Sequence, residues 1–162
     1  MADSSILFKN FALLDVESGT LKGGYQVLVR DGRFAAVEHG AINADGALEI
    51  DLGGRTLMPG LIDCHVHIHP LILPTTPQML PSLITAHALS TLEGMLLRGF
   101  TTVRDAGGAD AGHRQAVEHG IFRGPRLFVA GRAISQTGGH GDPRTSANQF
   151  EPCECAAHLS GF

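Results

Sequence analysis

A chain of 162 residues with 43% apolar content holds enough material for about one domain with a core. Its net charge of −4, with 12 Lys and Arg scattered among 16 acids, offers no basic surface for nucleic acid. No window approaches the roughly 18 apolar residues of a membrane span, and the acidic start "MADSSILFKN" is unlike a signal peptide, so a soluble, cytoplasmic protein is expected.

In chain order, residues 1–57 read as short strands and turns. "ILFKNFALLD" is a strand. "YQVLVRDGRFAAVE" is a hairpin in which Asp31-Gly32 supplies the positive-φ turn between Gln26–Arg30 and Arg33–Val37. "ALEIDLGGRTLMPG" gives a further strand and then a turn at Gly53-Gly54. No segment here has helical length and period, so this part is expected to be all β.

After Pro59 the pattern changes. A strand over Leu61–Ile68 leads through a Pro/Thr loop to a helix from about Leu80 to Arg98. Leu80, Ile84, His87, Leu92, Met95 and Leu96 fall on one side of that helix, and Gly99 sits where a helix commonly ends. "FTTVRDAGG" is a second strand, "ADAGHRQAVEHG" a shorter helix, and "RLFVAG" a third strand opening into the polar loop "RAISQTGGHGDPRTSANQ". Strands alternating with helices imply parallel pairing through crossovers.

The segment "MPGLIDCHVHIHP" concentrates the chemistry. Strand alternation places Leu61, Asp63, His65 and His67 on one face, and Ile62, Cys64, Val66 and Ile68 on an apolar face suited to packing under helices. Two imidazoles at i and i+2 can converge on one metal ion, and imidazole nitrogen suits zinc and its neighbours. H-x-H alone is more often a pair of solvated or core residues. Its position at the C-terminal end of the first strand of a βα series, where parallel α/β folds build their sites, favours the metal.

"LMPGLIDCHVH" resembles the signature of the amidohydrolase superfamily, metal-dependent hydrolases built on a (β/α)8 barrel. "GFTTVRDAGG", "GPRLFVAGRAIS" and "TGGHGD" are similar to its prolidase-like, imidazolonepropionase-related members, which cleave dipeptide-type or cyclic amide bonds. The resemblance implies an α/β fold. Residues 1–58 would be the N-terminal part of a small β-sandwich, and residues 59–162 the first three βα units of a TIM barrel. It implies a divalent metal, zinc, in one or two ions, held in part by His65 and His67. Asp63 would lie behind the ligands, and His140 would contact a small amide or dipeptide substrate. Asp105, at the end of the second strand, could line the site behind the ligands, but a structural hydrogen bond to the next loop is the expected role. The chemistry implied is attack of a metal-activated hydroxide on an amide carbonyl.

Other residues weigh less. His69 shares the register, but the family pattern needs only two histidines there. His87, His113 and His119 are expected as core or surface residues of helices. Cys153, Cys155 and His158 make a poor zinc signature without a second cysteine pair, and three cysteines make no disulfide framework. Cys64 is expected to pack on the helix side.

A full barrel takes about 250 residues, and the stretch after Pro59 suffices for about three of its eight units. The only lysines, Lys9 and Lys22, precede the barrel. No residue matches the bridging lysine, the later histidines or the last-strand aspartate that complete the family's site. The expectation is therefore an N-terminal fragment, inactive alone. The alternatives are a non-catalytic metal- or partner-binding module and one half of a split enzyme. The macromolecular partners expected are further copies of the chain in a homo-oligomer, or a complementing C-terminal half.

Overall fold

The structure, a computed structural model, describes residues 5–69 and 79–134, together with the short strand His158–Leu159. It is a mixed α/β chain in which strands predominate, and it divides into two compact units at Pro59/Gly60.

The N-terminal unit is one sheet. β1 (Ser5–Asp15) pairs antiparallel with β2 (Thr20–Lys22) and with β3 (Tyr25–Arg30), and β3 pairs with β4 (Arg33–His39). The β3–β4 turn is Asp31-Gly32 with φ of 48° and 72°, the doubly positive geometry expected of Asp-Gly in a two-residue hairpin. Leu7, Phe11, Val27 and Leu28 are buried and form its apolar centre.

β5 (Leu48–Leu57) corrects the sequence reading. Gly53-Gly54 does not end the strand. β5 runs parallel to β1 through both glycines, and the register slips between Lys9↔Asp51 and Phe11↔Arg55. The pair forms a bulge opposite Asn10, itself at φ 57°, which lets a strand take up extra residues without ending. The Asp51 carboxylate pins it, accepting from Gly53 N (2.8 Å) and Asn10 Nδ2 (2.8 Å).

The turn between β1 and β2 is closed by Asp15. Its carboxylate meets the Lys22 ammonium and accepts from the backbone N–H of Glu17 and Ser18. Lys22, and then those two N–H groups, hold the carboxyl down at about 2. A carboxyl depressed in the folded chain stabilises it above the unfolded value and loses that contribution as pH falls. Asp15 should therefore weaken the β1–β2 pairing between about pH 4 and about pH 2. A carboxyl-detected NMR titration of Asp15 should show a midpoint near 2, and a midpoint near 4 would contradict the geometry.

The C-terminal unit carries a three-stranded parallel sheet, in the order β6 (Leu61–Val66), β7 (Phe100–Asp105), β8 (Arg126–Val129). α1 (Pro81–Leu97) joins β6 to β7, and α2 (Ala111–Glu118) joins β7 to β8. Its core is Val66, Ile68, Ala88, Leu92, Val103, Ala109 and Leu127, flanked by Met95, Phe100, Val117, Phe122 and Val129. Ala133–Ile134 (β9) pairs with His158–Leu159 (β10).

Two packing expectations are revised here. The buried face of α1 centres on Ala88 and Leu92, whereas Leu80 and His87 are exposed. They share the helical side in projection, but α1 settles against β7, and only residues over that strand are covered. On β6, Val66 and Ile68 are buried, but Ile62 is 67% exposed and Cys64 is an exposed free thiol. Among the described residues, β6 has only β7 beside it, so the helices reach just its C-terminal end.

Gly60 opens β6, and a Cβ there would fall inside the side chain of Thr101. Gly60→Ala should destabilise the chain by about 1–3 kcal/mol, the usual cost of forcing extra volume into a packed position. Thermal melts would check this, with Thr101→Ala expected to recover most of the loss in the double variant.

Candidate functional site

The chemistry-bearing side chains gather at the C-terminal ends of β6 and β7. Along β6 the register with β7 slips between Asp63↔Val103 and Val66↔Asp105, so β6 carries one extra residue at Cys64–His65. Such bulges re-aim side chains and are common beside sites. The bulge is held from both sides. Arg104 Nε donates to the Cys64 carbonyl (2.7 Å), and the Asp63 carboxylate accepts from the His65 N–H (3.0 Å).

His65, exposed on the bulge, and His67, half-buried one residue beyond the strand, face each other edge-on. Their ring centroids are 5.3 Å apart and the planes lie at 81°. Among the described residues His67 is oriented by one hydrogen bond: its Nδ1 lies 3.0 Å from the carbonyl oxygen of Gly107. A carbonyl can only accept, so Nδ1 carries the proton, and in the neutral ring Nε2 is a free lone pair. This is the outer hydrogen bond that metal-binding imidazoles commonly make.

Asp105 builds the ground under that bond. It is fully buried at the end of β7. Its Oδ2 accepts from Ile68 N (2.8 Å), and its Oδ1 accepts from Gly107 N (2.9 Å) and Ala109 N (3.1 Å). One carboxylate thus ties the residue after His67 to the loop whose carbonyl holds the His67 ring.

A second group lies alongside. His69 Nε2 is 3.3 Å from His113 Nε2, and His113 Nδ1 is 2.8 Å from the carboxylate of Asp110, the residue capping α2. Burial and the neighbouring His113 imidazole pull the His69 pKa below its ordinary value. Burial pushes the Asp110 carboxyl up. The His113 ring and the N–H groups of His113 and Gly112 outweigh it, and the net shift is downward. Sequence reasoning missed this group because an Asp-x-x-His cap is outside the usual Ser/Thr-x-x-Glu pattern.

The residues expected at the site are thus partly assembled. His65, His67, Asp63 and Asp105 lie on the β6 and β7 segments, whereas His140, Cys153 and Cys155 lie outside the described residues. Among the described residues, no group of three or more His, Cys, Asp or Glu is arranged to hold a metal. His65 and His67 have the right donors and, at His67, the right outer hydrogen bond for two positions around an ion. Zinc in a catalytic site normally takes three protein ligands, so the pair fits a metal in part. No described helix is long and apolar enough to cross a membrane.

Comparison with known proteins gives the frame. Residues 56–157 match the amidohydrolase family. A crystal structure of a prolidase complexed with N-methylphosphonate-L-proline superposes with a TM-score of 0.88 at 39% identity, covering 96% of this chain and 40% of that one. A second solved structure, an amidohydrolase, gives 0.87 at 46% identity, with 96% and 39% covered. An ochratoxinase from Aspergillus niger is 33% identical over 95 residues, 53% of this chain and 19% of its own length. The chain therefore spans about two fifths of the solved structures and about a fifth of that curated relative.

Proposed function

The chain belongs to the amidohydrolase family, and from that membership we propose that it carries the first part of the active site of a metal-dependent hydrolase of carbon–nitrogen bonds, prolidase-like in substrate class. In this reading β6-α1-β7-α2-β8 are the first units of a (β/α)8 barrel, and β1–β5 are the N-terminal share of a β-sandwich.

The observation that carries the proposal is the His67 Nδ1–Gly107 bond beside the facing His65 ring. It leaves Nε2 of a half-buried imidazole as a lone pair with no hydrogen-bond partner among the described residues. His65 and His67 would hold a divalent ion, zinc in this reading. Bound there, the ion would supply polarisation of an amide carbonyl and a lowered pKa for water. The chain's own residues do the positioning. Gly107 fixes the His67 tautomer, Asp105 fixes Gly107, and Asp63 with Arg104 fixes the bulge that presents His65. The resemblance gives His140 the substrate contact. Dipeptides of the Xaa-Pro kind and small cyclic amides are the substrate classes proposed.

Two imidazoles among the described residues, and coverage of two fifths of the solved relatives, support a site completed by residues beyond those described. The purified chain should therefore show no turnover of an Xaa-Pro dipeptide panel with added Zn2+ or Co2+. Turnover abolished by His65→Ala would overturn that expectation and point to a site completed between copies.

A further inference from the structure

We propose that His69 and His113 form a second cation site, distinct from His65 and His67, which takes one borderline divalent ion such as Zn2+ bound by both Nε2 atoms. His113 is the third residue of α2 and only 9% exposed. Its Nδ1 lies 2.8 Å from the Asp110 carboxylate and 3.4 Å from the Asp110 N–H. One nitrogen cannot both donate and accept, and the shorter contact to a carboxylate takes the proton. Nε2 of the neutral ring is then a lone pair, and it lies 3.3 Å from Nε2 of His69. A carboxylate behind a histidine, fixing its tautomer and raising its basicity, is the arrangement that supports a metal ligand.

The spacing suits two states of the pair, one joined by a proton and one by an ion. Without an ion, the 3.3 Å contact is a long hydrogen bond in which His69 Nε2–H donates to the His113 Nε2 lone pair. Two nitrogens on a tetrahedral ion, each at about 2.0–2.1 Å, stand about 3.3–3.4 Å apart. The rings have centroids 4.9 Å apart and an interplanar angle of 62°. Gly108, at φ +117°, holds the other side of His69: a Cβ there would lie 3.0 Å from His69 Nδ1, so the loop runs against the ring. Imidazole donors select zinc, copper, nickel or cobalt rather than calcium or magnesium. With two protein ligands among the described residues, the ion would keep water in its remaining positions and bind less tightly than in a closed structural site.

The test uses the full chain carrying His65→Ala and His67→Ala, titrated with Zn2+ by calorimetry. One equivalent should still bind, and adding His69→Ala should abolish it. Asp110→Asn, which keeps a good helix cap, should weaken binding about tenfold by removing the charge behind His113. That variant separates loss of the site from loss of the fold. In long-range 15N spectra the ring nitrogens of His69 and His113 should shift together with zinc. No binding to the double variant, or binding indifferent to His69→Ala, would overturn the proposal. The unsubstituted chain should bind two equivalents. A single equivalent lost with His65 and His67 leaves the first site standing and removes this one. A single equivalent lost with His69→Ala alone does the reverse.

Discussion

Asp105→Ala is expected to cost the chain about 3–5 kcal/mol, of the order of the whole stability of a marginal domain. The carboxylate is fully buried and accepts from Ile68, Gly107 and Ala109. Each buried N–H left without a partner costs about 1–3 kcal/mol, and Ala would orphan three at once while opening a small void. Asp105→Asn should cost less, about 1–3 kcal/mol. Its remaining oxygen can still accept from Gly107 and Ala109, but its NH2 would face the Ile68 N–H, donor against donor. Urea melts would give the ranking, and hydrogen exchange should show early opening at Ile68, Gly107 and Ala109 before the rest of the sheet. An alanine variant within 1 kcal/mol of the parent would mean that the loop is organised by something else.

His67→Ala is expected to weaken divalent-metal binding at the β6 site by about 100-fold or more. Loss of a hydrogen bond behind a ligand commonly costs 10–100-fold, and here the ligand itself is removed. His65→Ala should act in the same direction. Asp63→Asn should have a much smaller effect, because its contact to the His65 N–H needs only an oxygen acceptor. Zinc titrations of the four proteins in a His69→Ala background, which removes the neighbouring imidazole pair, would measure these losses. Equal affinity in parent and His67→Ala would show that His67 holds no metal.

Much of this arrangement was legible in the sequence, for stated reasons. The hairpin at Asp31-Gly32 is dictated by residues that tolerate positive φ. The β6-α1-β7-α2-β8 order follows from period-2 runs alternating with helical ones, and its parallel pairing from the crossovers. The H-x-H spacing placed His65 and His67 at one end of one strand. The rest depended on partners distant in sequence. Alternation is a rule about one strand, so it could not show the bulge at Cys64–His65, which exists only relative to β7. Gly53-Gly54 looks like a turn until β1 brings Asn10 opposite it. Asp105 was legible as a strand-end acid bonded to the next loop, as it is at Gly107 and Ala109, but its third donor, Ile68, comes from the loop after β6. The role of Gly107 lies in a backbone carbonyl, which no side-chain pattern can report. His113 looked like a helix residue of no consequence because its cap to Asp110 uses an uncommon residue type.

In the proposed site His67 is presented through Nε2, with its Nδ1 proton held by Gly107, as one of two imidazole ligands for a divalent ion. Long-range 1H–15N spectra of the His69→Ala chain, with and without Zn2+, test it directly. The expected result is a protonated His67 Nδ1 in both states, and a zinc-induced shift at Nε2 of His67 accompanied by a shift on the His65 ring. A His67 ring protonated at Nε2 instead, or one whose nitrogens are unchanged by zinc, would contradict it.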